Sequence, residues 1–210
     1  MTTEGIAVVG KGEVRGAPDT VEILIGVRSR RDTVAEATRD AAAKGQSIID
    51  ELVAAGVAAI NIQTRDLSVN AEHEYPPGGG APRLLGYAFT NTVVARLRAV
   101  DAAGTVIDRA LAAGGDDAVL DGVTFTLDDD AGAVIEARAA AYGDARGKAE
   151  QLAALAGVTL GAPTAIEETM GGPIGPMMFA AVRSKADSAT AVAPGQVTTT
   201  VIVTVRFSIA

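Results

Sequence analysis

The chain has 210 residues, a formal net charge of −8, no cysteine and one histidine. The lack of cysteine excludes disulfides, thiolate catalysis and cysteine-ligated zinc. The acidic balance argues against a nucleic-acid partner, because a negative surface repels phosphates. Hydrophobic residues make up 48% but aromatics only 3%, which predicts a core of Val, Ile, Leu and Ala in one large domain or two small ones.

The first strands are marked by alternation of apolar and polar residues. Residues 5–14 predict a first strand, and the turn-forming Gly16-Ala17-Pro18-Asp19 follows it. The second strand has one strongly apolar face, made of Val21, Ile23, Ile25 and Val27. We expect these two strands to form a hairpin.

A helix comes next. Thr33 and Glu36 have the spacing of a capping box, and Gly56 lies where a left-handed residue would end the helix. A buried stripe at helical spacing is predicted for Val34, Thr38, Ala41, Gly45, Ile48 and Leu52.

The third strand changes its apolar parity along its length. Ile60 and Ile62 share one parity, whereas Leu67, Val69 and Ala71 share the other. Such a change predicts a bulge near Thr64–Asp66. Residues 75–84, rich in Gly and Pro, predict a loop, and a long strand follows through residues 87–97.

The second half contains two more helices. A short one runs from Asp101 to Gly114, and a long one follows Asp128–Asp130 and stops at Gly157. The long helix is predicted to bury one side, consisting of Ile135, Tyr142, Ala149, Leu152 and Ala156. Gly143 and Gly147 destabilise a helix, which close packing against a sheet or a partner helix would offset.

The remaining segments are strands and a loop. Residues 123–127 and 162–168 predict strands, and residues 170–195 predict a long loop with the composition of a mobile segment. Residues 197–209 alternate most clearly, and their near-continuous apolar run predicts a central strand.

The order of these elements predicts an α+β fold of two intertwined parts. The first part is ββαβ and spans residues 5–85. The second spans residues 86–210 and has the βαβαββ order of a ferredoxin-like unit. We expect mostly antiparallel sheets, with helices packed on one face.

The candidates for chemistry are few. His73 lies between Glu72 and Glu74, but neighbours on a strand point to opposite faces, so these three side chains do not converge on a metal. With a single histidine, a Ser-His-Asp triad would have to use His73. Asp128–Asp130 lacks the central glycine of a calcium loop and fits helix capping better. Gly10-Lys11-Gly12 and Gly78-Gly79-Gly80 lack the phosphate-loop pattern. We predict no catalytic, metal-binding or cofactor-binding residue and no cofactor.

Two segments are candidates for protein contacts. Met177, Met178 and Phe179 lie in the late loop, and exposed Met and Phe often form adaptable contact surfaces, although such a loop can also fold over the core. Tyr75, Pro76 and Pro77 begin the loop at residues 75–84. We predict self-association into a homo-oligomer through these residues, with no nucleic acid and an unidentified protein partner.

The chain resembles the SIMPL-domain family, formerly labelled a domain of unknown function, over about residues 5–208. The residues that carry the resemblance are Val9-Gly10-Lys11-Gly12, Pro18-Asp19, Ile62-Gln63-Thr64, Tyr75, Gly86-Tyr87, Asn91, Val106-Ile107-Asp108, Ala145 to Ala153, Gly157, Gly161 and Pro194-Gly195. The resemblance implies an α+β fold and a tendency to oligomerise, with rings in some members. It also implies a loose link to stress tolerance, usually in exported bacterial proteins, and no agreed catalytic residues.

Three functions follow as hypotheses. The first is a non-enzymatic oligomeric scaffold or stress-associated interaction protein. The second is a small-molecule or peptide binder using a groove beside residues 75–84 and 170–195. The third is a hydrolase, which needs a polar cluster that the sequence does not display. The N-terminus has no signal-peptide pattern and no segment is long enough to span a membrane, which predicts a cytoplasmic protein. A periplasmic or exported protein whose leader has been removed is the alternative.

Overall fold

The computed structural model describes residues 5–174 and 190–210. Within them the fold is α+β, as predicted, with two antiparallel sheets. The strands are β1 (Ile6–Gly16), β2 (Thr20–Arg31), β3 (Ile62–Glu74), β4 (Arg83–Leu97), β5 (Ala118–Thr126), β6 (Leu160–Ile174) and β7 (Val197–Ile209). The α-helices are α1 (Val34–Ala54), α2 (Ala103–Gly114) and α3 (Ala131–Ala156).

The chain divides into two compact units, and its segments alternate between them. The first unit contains β1, α3, β6 and β7, and the second contains β2, α1, β3, β4, α2 and β5. The predicted boundary after residue 85 falls within the pairing of β3 with β4. The strands of residues 86–210 are shared between the two sheets, since β4 and β5 lie in one and β6 and β7 in the other.

The first unit is a three-stranded sheet of order β1-β7-β6, with α3 packed on β1 and β7. The central position of β7 confirms the prediction for residues 197–209. Its side chains facing α3 are buried, namely Val201, Val203, Val205 and Phe207. The predicted hairpin of β1 with β2 is wrong. β1 pairs along its length with β7 instead, because the two alternating apolar faces complete one core under α3.

The packing of α3 on β1 depends on glycine. A Cβ atom on Gly12 would lie 1.9 Å from the carbonyl oxygen of Ala137, and one on Gly10 would lie 2.1 Å from that of Ala141. The strand therefore touches the helix backbone, and only small helix residues fit at the contact. The buried residues of α3 are Val134, Ala137, Ala141, Ala145, Ala149 and Ala153.

The predicted buried side of α3 is confirmed for Ala149 and in part for Tyr142, which is half-buried against the core, but it is wrong for Ile135, Leu152 and Ala156. Ile135 is 64% exposed and Leu152 45% exposed, because the close approach selects alanine and leaves larger side chains outside. Gly143 and Gly147 also differ from the expectation of close packing. A Cβ at either position would meet no atom of the described residues within 4 Å.

The second unit is a four-stranded sheet of order β3-β4-β2-β5. Helix α1 packs on β2 and β4, and α2 packs on α1, β2 and β5. The core is aliphatic and includes Ile23, Ile25, Ile48, Leu52 and Ile107. The bulge predicted near Thr64–Asp66 is confirmed, since the register of β3 on β4 shifts there.

The ends of α1 and α3 follow the predicted capping chemistry, whereas the predicted start of the short helix at Asp101 is wrong, because Asp101 lies in a 3-10 turn and α2 begins at Ala103 without a side-chain cap. The hydroxyl of Thr33 accepts a hydrogen bond from the Glu36 backbone N–H at 3.2 Å, and it donates to the Glu36 carboxylate at 2.8 Å. Gly56 and Gly157 both have positive φ angles, 94° and 70°, directly after α1 and α3. At the start of α3 the capping oxygen belongs to Asp129, which accepts from the Ala131 N–H at 3.0 Å.

The predicted loop at residues 170–195 begins later than expected, because β6 continues to Ile174. Residues 190–193 lie against α2 in the second unit. The Asp108 carboxylate accepts hydrogen bonds from the Thr190 N–H at 2.8 Å and from its hydroxyl, and Val192 packs on the core. These bonds lower the pKa of Asp108.

Candidate functional site

The predicted contact residues Tyr75, Pro76 and Pro77 lie in the turn between β3 and β4. All three are exposed, and Tyr75 is 74% exposed. The other three predicted contact residues, Met177, Met178 and Phe179, lie outside the described residues. The predicted groove beside residues 75–84 and 170–195 involves the same undescribed segment.

An apolar surface adjoins this turn. Leu67 and Val69 on β3, and Leu84 and Leu85 on β4, are 39–63% exposed. We call the five residues Leu67, Val69, Tyr75, Leu84 and Leu85 the hairpin surface. Exposed large apolar side chains on one hairpin are candidates for a contact surface.

The position of the helices explains why this surface is uncovered. A helix is about 10 Å wide and strands lie about 4.8 Å apart, so one helix covers roughly two strands. Helix α1 lies on β2 and β4, and α2 lies on β2 and β5. β3 is the remaining strand, so Leu67 and Val69 point to the helix side of the sheet without a helix over them. In the sequence, Leu67 and Val69 stand out only by their shared apolar parity. The ratio of helices to strands is the signal that would have shown their face to be uncovered.

β3 is also an edge strand. Among the described residues it pairs only with β4. Its pairing is regular from Asp66 to Glu72, between register shifts at Thr64/Asp66 and Glu72/His73. Among the described residues, no strand pairs with the backbone N–H and C=O groups on the other side of this run. A long, apolar strand edge of this kind is a site where a further strand can pair.

The edge of β1 in the first unit is closed. Lys148 from α3 donates from Nζ to the Val9 carbonyl oxygen at 2.9 Å, and the Lys11 backbone N–H donates to Asp144 Oδ2 at 2.9 Å. Lys148 and Asp144 also pair with each other at 2.6 Å. We call this pair the edge clamp. It occupies one donor and one acceptor of β1 that an added strand would need.

The geometry of the edge clamp has a clear origin. Gly10 and Gly12 bring α3 close to β1, and this proximity lets side chains one turn apart on α3 reach the strand backbone. Hydrogen bonds from Lys148 and from the Lys11 N–H lower the pKa of Asp144. The sequence pattern alone shows Asp144 and Lys148 as an i,i+4 pair and gives no sign of their contacts with β1.

The two other edge strands are less suited to pairing than β3. β6 contains Pro163, and its register on β7 shifts at three places. Its Glu168 forms a two-pronged ion pair with Arg138 of α3, which lowers the pKa of Glu168. β5 has only 9 residues, whereas β3 has 13. The pairing register of β5 with β2 also shifts between Leu24 and Ile25.

A cluster of charges at the end of β2 surrounds Asp117, whose side chain is only 17% exposed. Arg31 pairs with Asp40 at 2.6 Å and with Asp117 at 2.9 Å, and Lys44 pairs with Asp117 at 2.5 Å. Burial acts to raise the pKa of Asp117, but the hydrogen bonds from Lys44 and Arg31 outweigh it and the net shift is downward. Every charge has an opposite partner, so the cluster joins α1 to the sheet and holds no poised acid or base.

Groups for catalysis or metal binding do not converge in the described part of the chain. His73 is exposed at the second register shift of β3, and the neighbouring Glu72 pairs with Arg30 at 3.5 Å. Across residues 5–174 and 190–210, no three His, Asp or Glu side chains are grouped to hold a metal ion. The described helices include none that is long and apolar enough to cross a membrane.

A shallow depression of about 310 Å³ lies on the sheet of the second unit, on the side away from the helices. Its lining includes Gln63, Arg65, Val94 and the ion pair of Arg96 with Glu22, whose atoms lie 3.1 Å apart. It offers charged and amide groups but no nucleophile with an adjacent base. Its chemistry suits weak binding of a polar group.

Comparison with known proteins gives one family and two relatives. The model of the family described as SIMPL, a protein of unknown function (DUF541), matches residues 6–207. The 26 kDa periplasmic immunogenic proteins of Brucella melitensis biotype 1 and of Brucella abortus strain S19 are each 30% identical over 187 residues. Each match covers 86% of this chain and 73% of the relative.

Proposed function

The chain belongs to the SIMPL family, and we propose that it is a non-enzymatic scaffold or interaction protein that works by self-association through the β3–β4 hairpin. The observation that carries the proposal is the hairpin surface, which places exposed apolar side chains beside an open strand edge. An oligomer would remove this surface from water, at a gain of roughly 25 cal/mol per Å² before the costs of association.

The arrangement of charges supports a contact role over a catalytic one. A catalytic site needs a nucleophile or base within hydrogen-bond reach of a second group that activates it. The charged groups of the Arg31 cluster and of the edge clamp are already neutralised by partners that belong to the fold. The hairpin surface, in contrast, has apolar groups for which the described residues provide no cover.

The second candidate function is the binding of a small polar molecule or a peptide. The depression lined by Glu22, Arg65 and Arg96 favours it, because an arginine pair can hold a carboxylate or phosphate group. Titration of the protein with small carboxylates and phosphates, alongside an Arg96→Ala variant, tests it. A hydrolase would need convergent groups that neither this depression nor the hairpin supplies.

The cellular location and process are proposed from the relatives. The relatives are named as periplasmic proteins, so we propose the exported alternative for this chain over the cytoplasmic one. Fractionation of native cells with a compartment marker tests this. A stress-associated role is proposed from the resemblance alone, and growth of a deletion strain under heat and oxidant tests it.

The main experiment measures mass in solution. We expect light scattering to give a multiple of the 21.1 kDa chain mass. A double variant, Leu67→Lys with Leu84→Lys, should dissociate while keeping its circular dichroism spectrum, because lysine on an exposed edge opposes pairing. The matched control is Ile60→Lys, at a residue 92% exposed in the same unit outside the hairpin surface. A monomeric native protein at micromolar concentration would refute the proposal.

A further inference from the structure

We propose that two copies of the chain pair β3 against β3 in an antiparallel manner, with Ser68 of both copies facing each other on the two-fold axis. This inference rests on the proposed self-association and specifies its geometry. The starting observation is the regular run from Asp66 to Glu72, which has β4 on one side and, among the described residues, no strand on the other. Such an edge presents unpaired N–H and C=O groups to a further strand.

A second copy is a suitable occupant because an antiparallel strand pair has two-fold symmetry. In a closed two-fold dimer the same segment faces itself, so the sequence must be complementary to its own reverse. Centring the axis on Ser68 places Leu67 opposite Val69 of the other copy, twice. These are the exposed apolar residues of β3, at 63% and 43% exposure, and they share one face.

The charges in this register are compatible. Asp66 lies opposite Asn70 of the other copy, where an amide can donate to the carboxylate. No like charges stand directly opposite each other in the paired run from 66 to 70. Directly opposed side chains have Cβ atoms about 4.5–5.5 Å apart, so these contacts are close enough to contribute.

The neighbouring registers are worse for specific reasons. An axis on Val69 places Asp66 opposite Glu72 twice, and like charges directly opposite are destabilising. An axis on Leu67 places the apolar Val69 opposite the charged Arg65. Arg65 is also the extra residue at the first register shift, where the strand is irregular. An axis on Asn70 opposes Leu67 to His73, beyond the second shift. If the two-fold axis lay between two residues, odd-numbered residues of one copy would lie opposite even-numbered residues of the other. The apolar residues would then face polar ones, on the wrong face of the sheet.

The resulting sheet would have eight strands, from β5 of one copy to β5 of the other. Open sheets of this size are within the natural range. The four side chains of Leu67 and Val69 would form one apolar cluster on the helix side, where α1 of neither copy covers them. Leu84, Leu85 and Tyr75 would remain available for contacts beyond the dimer.

The absence of cysteine from the sequence makes a clean test available. A Ser68→Cys variant places two thiols on the axis, and directly paired residues have Cα atoms about 4.5–5.5 Å apart, which suits a disulfide. On mild oxidation we expect a band at twice the 21.1 kDa chain mass on a non-reducing gel. The matched control is Asn70→Cys, whose two Cα atoms would lie about 14 Å apart and out of disulfide range.

The outcomes separate the two proposals. Light scattering of the native chain is measured first, and circular dichroism confirms that both variants are folded. An oligomer in which Ser68→Cys crosslinks and Asn70→Cys does not supports the register. An oligomer in which Ser68→Cys crosslinks no faster than Asn70→Cys overturns this inference and leaves self-association intact. A monomeric native chain overturns both.

Discussion

Strands β1 and β3 are both sheet edges in the described structure, yet one is closed and the other open. On β1, the edge clamp of Asp144 and Lys148 occupies backbone groups of Val9 and Lys11. On β3, the backbone between Asp66 and Glu72 has no such cover among the described residues. The difference indicates that the fold protects one edge from pairing and leaves the other suited to it.

The two units also differ in how a helix meets the sheet. In the first, backbone meets backbone through glycine and alanine, and the clamp depends on this closeness. In the second, aliphatic side chains such as Ile25 and Ile48 separate α1 from the strands. In the first unit, therefore, the close packing of α3 on β1 is what allows the edge clamp to form.

The largest expected effect comes from breaking this close packing. Gly12→Ala would place a Cβ 1.9 Å from the Ala137 carbonyl oxygen, which is backbone and cannot rotate away. We expect a loss of about 3 kcal/mol or more in the free energy of unfolding, measured by urea titration. Gly16→Ala on the same strand is the matched control, since its Cβ would meet only Leu127 at 3.7 Å. Equal losses in both variants would contradict the role assigned to Gly12.

Sequence patterns predicted much of the fold because they report local physics. The near-continuous apolar run in β7 predicted its central position, and the parity change in β3 predicted its bulge. The pairing of β1 with β7 was not predictable in this way, since every alternating strand offers a similar face and the nearest one, β2, is favoured by proximity alone.

The sequence predicted the turn at the tip of the β3–β4 hairpin, and the contact role of its residues stays a prediction. Tyr75, Pro76 and Pro77 were found because Gly and Pro mark turns. Leu67 and Val69 were missed because an apolar stripe has the same pattern whether or not a helix covers it. The edge clamp was missed because its partners are backbone atoms more than 130 residues away, which no pattern of residue types encodes.

A smaller effect is expected from the charged cluster of the second unit. Asp117→Asn should cost about 2 kcal/mol at neutral pH, because Arg31 and Lys44 lose a partly buried charged acceptor. The pKa of Asp117 is lowered by folding, so its contribution is present above the unfolded value of about 3.9 and is lost as pH falls through the folded pKa. Stability should therefore decline more steeply in acid for the native chain than for the variant.

The measurement is urea unfolding at a series of pH values from 7 to about 3. Asp116→Asn is the control, because it removes the same charge from the adjacent exposed residue and leaves the cluster intact. Parallel pH profiles for the native chain and Asp117→Asn would show that the cluster does not couple folding to pH.

A third experiment opens the closed edge. Replacing Asp144 and Lys148 together by alanine keeps the net charge and frees the Val9 carbonyl and the Lys11 N–H. We expect only a small change in stability, because both side chains are solvent-accessible. Association should increase, seen as a larger scattering mass or as faster aggregation at high protein concentration. Arg146→Ala with Glu150→Ala removes another ion pair of α3, with a spacing of 2.9 Å, and should leave association unchanged.

The smallest effect concerns the outer side of α3. Gly143 and Gly147 each cost a helix roughly 1 kcal/mol relative to alanine, and a Cβ at either would meet nothing within 4 Å in the described part of the chain. If assembly uses the β3 edge, the double alanine variant should be more stable by roughly 1–2 kcal/mol in urea titration, with an unchanged scattering mass. If instead a second copy packs closely on this side of α3, the added methyl groups would clash and the mass would fall. The same two substitutions therefore discriminate between assembly through an open strand edge and assembly through a helix face.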